Sequence, residues 1–246
     1  MSFLKNLQSD SSIQDEKDNL GGGGGTIFES GLYPLKITLA YLTTSQGGAV
    51  ALNIRGKTED DKELRQQFWM TSGTAKGCKN YYEDKNGEKK YLPGFLMANS
   101  LFLLATGKEI SEQDTEQKVV NLWSTDAKAE VPTKVDMFMD LIGKEIIAGV
   151  LKQTVDKTTK DATGAYVATG ETKEENEVDK FFRAEDRMTT AEIRAKAETA
   201  VFIDQWETKW AGKVKNKAKG AGEGGAKAGA PKPAGASTKP SSSLFG

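Results

Sequence analysis

Five lysines and three tyrosines interleave within sixteen residues of this chain: Lys76, Lys79, Lys85, Lys89 and Lys90 with Tyr81, Tyr82 and Tyr91. Ammonium groups attract phosphates and flat rings offer a surface to unpaired bases, so side chains in this pattern suit a single-stranded polynucleotide. The segment Thr71-Ser72-Gly73-Thr74-Ala75-Lys76-Gly77 is rich in small residues, which let backbone amides come close to phosphate oxygens. Glu83, Asp84 and Glu88 dilute the charge, and a plain β-hairpin with solvated lysines around Asn86-Gly87 is the simpler alternative. A second set lies upstream, where Arg55, Lys57, Arg65 and Trp69 fall on one face if the flanking segments are strands. Cations beside an exposed indole suit the same ligand; the alternative is a tryptophan packed under a loop beside solvated arginines.

Other chemistries find little support. The chain has no histidine, which removes the commonest general base and the usual zinc ligand. Ser72 to Gly77 resembles a phosphate loop only superficially, because Lys76 is followed by glycine rather than serine or threonine. Asp136, Asp140 and Glu145 could hold magnesium in a nuclease, but one solvated helix face accounts for the first two more simply. The run Glu171 to Glu177 reads as a solvated acidic stretch. Cys78 is the single cysteine, so no internal disulfide is expected and a free thiol in a reducing compartment is. No catalytic residue, metal or cofactor is expected, and the chain does not read as an enzyme. With no secretory h-region at the start and no run of about 20 apolar residues, a cytoplasmic protein without a membrane span is expected.

The alternation that carries the first site also predicts its scaffold. Tyr33, Leu35, Ile37, Leu39 and Tyr41 alternate with smaller or polar residues, as do Val50, Leu52 and Ile54. The Gln46-Gly47-Gly48 turn between them predicts a hairpin. A third strand is expected over 64–71, with Leu64, Gln66, Phe68 and Met70 on one face and Arg65, Gln67, Trp69 and Thr71 on the other. Pro93 opens a buried helix that Gly107 stops. A short strand over 119–123, a helical turn over 133–141, a strand over 144–155, a polar loop over 156–164 and a returning strand over 178–182 should follow. Thr189 or Thr190 caps a helix that carries Ile193, Ala197, Val201, Ile203 and Trp206. The expected class is mostly β with helices (α+β): an OB-fold-like antiparallel barrel with a buried helix between strands three and four, and a C-terminal helix. A generic antiparallel sheet covered by one helix has the same pattern.

The chain divides into a flexible arm over 1–25, ending in five glycines, a domain over 26–210, and a disordered basic tail over 211–246. Net charge is −1, but seven lysines against Glu223 put +6 on the tail and leave −7 on the rest. Contact with a polynucleotide must therefore come from a local basic track or from the tail, whose lysines attract phosphates.

The string Thr71-Ser72-Gly73-Thr74-Ala75-Lys76-Gly77-Cys78-Lys79, with Leu92-Pro93-Gly94-Phe95 and Leu103-Leu104-Ala105-Thr106-Gly107, resembles a family of tailed-bacteriophage proteins that bind single-stranded DNA. Val131-Pro132-Thr133 and Gly170-Glu171-Thr172 extend the resemblance loosely toward Trp210. It implies an oligonucleotide-binding core and a role coating single strands during phage replication or recombination, in the host cytoplasm. The basic tail departs from the acidic tails common among replication binding proteins, although Leu244 and Phe245 keep an apolar tip that could engage phage replication or recombination proteins. The rival reading is a protein-interaction adaptor that uses that tip, or Phe3, Leu4 and Leu7, on a replication or transcription partner.

Overall fold

The computed structural model describes residues 27–124, 127–162 and 166–219. The expected N-terminal arm and the tail beyond Lys219 lie outside the described residues. The first three strands are β1 (Gly31–Thr44), β2 (Val50–Lys57) and β3 (Glu63–Trp69). They form an antiparallel meander in which Leu35, Ile37, Leu52, Ile54, Leu64 and Phe68 turn into the core. A short hairpin, β4 (Tyr81–Glu83) and β5 (Lys89–Tyr91), precedes α1 (Pro93–Thr106). Proline at the first helical position and Gly107 in a left-handed C-cap bound this helix as its sequence predicts. Ala98, Leu101, Phe102 and Leu104 are buried beneath it.

The remaining strands are β6 (Glu116–Ser124), β7 (Ala129–Met137), β8 (Glu145–Lys160), β9 (Tyr166–Arg183) and β10 (Val214–Asn216). The fold is therefore a mostly antiparallel β sheet with a few helices, of the α+β class. β1 changes partner along its length: Gly31–Lys36 pairs with β8, and Lys36–Thr44 with β2, across a bulge between Ile37 and Leu39. β9 lies on the other edge of β8. Among the described residues no backbone ladder joins β9 to β3; side chains span that seam. Gln66 Oε1 on β3 accepts the Val178 N–H of β9 at 3.0 Å, and Phe68 meets Phe181 edge-on at 5.8 Å.

Several segments differ from their sequence reading. Thr133 to Met137 is strand, not helix, because Val131, Thr133, Val135 and Met137 alternate with exposed residues and pair with β6; only Met139–Leu141 makes a 3-10 turn. The expected loop over 156–164 is strand as far as Lys160, since the pairing with β9 outruns the apolar pattern. Both faces of Ile146 to Leu151 are covered, Val150 by the main core and Leu151 by a second cluster with Phe182, Ile203 and Trp206, so the run is apolar without alternation.

The single C-terminal helix is two, α2 (Thr190–Arg194) and α3 (Phe202–Trp210). One carboxylate explains the break. Glu192 Oε2 accepts from Thr189 N–H at 2.8 Å and from its hydroxyl at 3.0 Å, while Oε1 accepts from Val201 N–H and Phe202 N–H, both at 2.8 Å. Burial alone would raise the Glu192 pKa, but these backbone and hydroxyl donors hold it below the ordinary 4.5. A lowered folded-state pKa contributes stability that is present above 4.5 and disappears as pH falls through the folded value. Glu192→Gln should cost about 1–2 kcal/mol at neutral pH, because an amide nitrogen cannot accept two of the four bonds. The urea midpoints of the two proteins should differ at pH 7 and draw together as pH falls toward 3; equal midpoints at pH 7 would show that the carboxylate does not hold the helices.

Candidate nucleic-acid interface

Strand register arranges the outer face of the meander in rows. Tyr41 stands beside Asn53 and Asn53 beside Gln67; Leu39 stands beside Arg55 and Arg55 beside Arg65; Ala51 stands beside Trp69. Successive rows are about 6–7 Å apart along the strands. An amide relay fixes the middle row, with Gln67 Nε2 donating to Asn53 Oδ1 at 2.9 Å and Asn53 Nδ2 donating to Thr43 Oγ1 at 2.8 Å. Trp69 is 44% exposed although its neighbours Phe68 and Met70 are buried, so the indole lies on the surface and not under a loop. Burial raises the Tyr41 pKa and the nearby Arg55 and Arg65 guanidinium groups oppose it, which puts all three in one electrostatic environment.

The loop that follows β3 is pinned at the Trp69 end of this face. Thr74 N–H donates to Gly47 O at 2.7 Å, and a Cβ on Gly73 would lie 2.5 Å from that same oxygen. Ser72 N–H donates to Lys79 O at 2.8 Å, so the loop closes on itself before the hairpin begins. Lys76 and Lys79 are thus exposed beside the β1–β2 turn.

The β4–β5 register then sorts the cluster. Tyr81 and Tyr91 are paired on one hairpin face with Lys89, and the Lys89 and Lys79 Nζ atoms stand 5.0 and 5.4 Å from the Tyr81 ring centroid. Tyr91 leans on Phe95 at 5.1 Å yet is 55% exposed. Tyr82 and Lys90 point to the opposite face. Lys90 is bound to Asp84 at 2.6 Å and reaches Glu88 at 3.6 Å, and the Asp84 bond raises its pKa while holding the Asp84 carboxyl down. The hairpin around Asn86-Gly87 that the sequence offered as the simpler alternative is therefore present, with its turn bonded by Asp84, and it still gathers four of the expected residues on one side.

The eleven expected residues accordingly separate. Arg55, Arg65 and Trp69 share the meander face, Lys76 and Lys79 are exposed in the loop that follows it, and Tyr81, Lys89 and Tyr91 share one face of the separate hairpin. Lys57 stands at the far end, held by Asp61 at 2.7 Å, and Arg65 is paired with Glu63. The sequence placed Asn53 and Gln67 on this side of their strands without counting them as site residues, and it placed Leu39 and Tyr41 with Leu35 and Ile37; the bulge between Ile37 and Leu39 turns those two to this face and puts Ala40 and Leu42 toward the core instead. It also missed the outer face of the β6–β7 hairpin, where Val119 and Trp123 are 61% and 60% exposed.

Asp136, Asp140 and Glu145 sit on β7, in the 3-10 turn and at the start of β8, so the two aspartates do not share a helix face. Among the described residues no group of three or more acidic or cysteine side chains is placed to hold a metal ion. No described helix is long and apolar enough to cross a membrane.

The basic tail does not begin at residue 211. Val214–Asn216 adds to β8 as a parallel strand, Lys217 pairs with Glu177 at 2.6 Å, and Lys215 approaches Asp179 at 3.9 Å. Acidic side chains of β9 thus occupy two of the lysines assigned to phosphate attraction. The sequence matches no protein-family model and no curated protein.

Proposed function

We propose that this chain binds single-stranded DNA without sequence preference, as a coat for single strands in phage replication or recombination, and that its sheet is a barrel of the oligonucleotide-binding type. The observation that carries the reading is the exposed Trp69 on a face that also bears Arg55 and Arg65, followed in the chain by a hairpin with Tyr81, Lys89 and Tyr91 on one face and Lys79 beside the Tyr81 ring. Guanidinium and ammonium groups spaced between rings match alternating phosphates and bases, and stacking on rings is indifferent to base identity. The strand order β3-β2-β1-β8-β9, with α1 packed on β3, β8 and β9, supports the barrel. The reading assigns no catalytic residue; its chemistry is binding.

The test is a tryptophan-fluorescence titration with single-stranded and double-stranded oligonucleotides at several salt concentrations. Quenching by single strands is expected, with log affinity falling by about 0.7 per phosphate contact for each tenfold rise in salt. Absence of both quenching and a mobility shift would discard the reading in favour of the adaptor.

A further inference from the structure

The β6–β7 hairpin joins β1 through β7, where Tyr41 stands opposite Met137, and among the described residues β6 itself pairs with β7 alone. One edge of this nine-residue strand, about 30 Å long, is therefore open, and the N–H and C=O groups along it face no other described strand. Natural edges are commonly blunted by charge, as in β9, another strand with a single neighbour, which carries Glu171, Lys173, Glu174, Glu175 and Glu177. β6 lacks that protection. Its two charges, Glu116 and Lys118, bind each other at 2.7 Å near one end, and the run Val119-Val120-Asn121-Leu122-Trp123-Ser124 carries none. Val119 and Trp123 are 61% and 60% exposed on one side of the strand, and Val120 and Leu122 are half-buried on the other.

We propose that this edge pairs with β6 of a second copy of the chain, antiparallel about a two-fold axis at Asn121. Such an axis puts one residue opposite itself and sets its neighbours against each other in reverse order. With Asn121 on the axis, Val119 faces Trp123 of the second copy on one side of the joined sheet, Val120 faces Leu122 on the other, and Lys118 faces Ser124. Every apolar residue of the run meets an apolar one, and the two central amides meet each other. Moving the axis to Val120 sets Val119 against Asn121 and Lys118 against Leu122; moving it to Leu122 sets Asn121 against Trp123. The strand is thus self-complementary in one register, which favours a second copy over a foreign strand. The inference goes beyond the single-strand reading and does not rest on it.

Sedimentation velocity of the full chain without DNA, between about 1 and about 200 μM, should show monomer giving way to dimer, because an edge of this length lies at the small end of stable interfaces. Asn121 is exposed and stands opposite Pro132 on β7, so Asn121→Lys and Asn121→Glu should melt as wild type does at low concentration. Each variant alone sets like charges against each other at the axis and should dimerise at least about 10-fold more weakly. An equimolar mixture of the two should return to within about threefold of wild type, since lysine then opposes glutamate. A wild type that stays monomeric overturns the proposal, and a strand of another protein is then the occupant to seek. Dimers that survive in both variants, or variants that do not recover on mixing, overturn it as well, because the contact then lies elsewhere or in another register.

Discussion

Gly94→Ala is expected to destabilise the protein by about 3 kcal/mol or more, at or beyond the usual cost of overpacking. A Cβ at this position would lie 2.1 Å from the Trp69 carbonyl oxygen, 2.7 Å from its carbon and 2.8 Å from its nitrogen. All three are backbone atoms, so no rotamer can relieve the contact, and the first turn of α1 must move off β3. Gly107→Ala provides the contrast. There the φ of +78° penalises a side chain, but the space is empty, and about 1–2 kcal/mol is the expected cost. Thermal melts should place Gly94→Ala about 6–12 °C below wild type, and below Gly107→Ala. Equal melting of the two glycine variants would show that α1 does not rest on the β3 backbone. Because the contact is behind Trp69 itself, Gly94→Ala should also weaken strand binding beyond what its stability loss explains.

Trp69→Ala is expected to lower affinity for single-stranded DNA by roughly 1–3 kcal/mol, or about 5- to 150-fold, with melting temperature little changed, since the indole is half in solvent. Tyr81→Ala should follow it, with a smaller loss, because Lys79 and Lys89 already sit close to that ring. Tyr82→Ala and Lys90→Ala should stay within about threefold of wild type: one is on the hairpin face opposite Tyr81, Lys89 and Tyr91 and the other is neutralised by Asp84. Arg55→Gln should reduce the salt slope by about 0.7 if it meets one phosphate. Isothermal titration of these variants at two salt concentrations separates the ring contributions from the charge contributions. Equal losses for Tyr82→Ala and Trp69→Ala would favour the undivided basic-aromatic cluster over the face described here.

Local chemistry was enough to find the meander, the central helix and the cluster. Tyr33 to Ile37, Val50 to Ile54 and Leu64 to Met70 alternate because one side of each strand meets the core, whereas the bulge after Ile37, which alternation does not reveal, turns Leu39 and Tyr41 to the other face. Proline and glycine marked the ends of α1 by backbone geometry that no distant contact modifies. β7 and the outer half of β8 escaped notice because they exist through pairing: Pro132 interrupts the propensity of one, and the other is polar, so only the facing strand supplies the hydrogen bonds. The break between α2 and α3 depends on a carboxylate that reaches nine and ten residues along the chain, a contact invisible to periodicity. β10 likewise exists because β8 offers an unpaired edge and β9 offers carboxylates to lysines that composition alone assigns to a tail.

By itself the sequence determined which side chains are available for stacking and for phosphates, and that Arg55, Arg65 and Trp69 point to one side of their strands. Only the tertiary structure decided which of them act together. Register placed Tyr81 and Tyr91 on one face and Tyr82 on the other, and ion pairs engaged Lys57, Arg65 and Lys90. The physical reason is range. Side-chain direction along a strand is set by adjacent residues, whereas charge neutralisation and cavity shape are set by groups that only folding brings near.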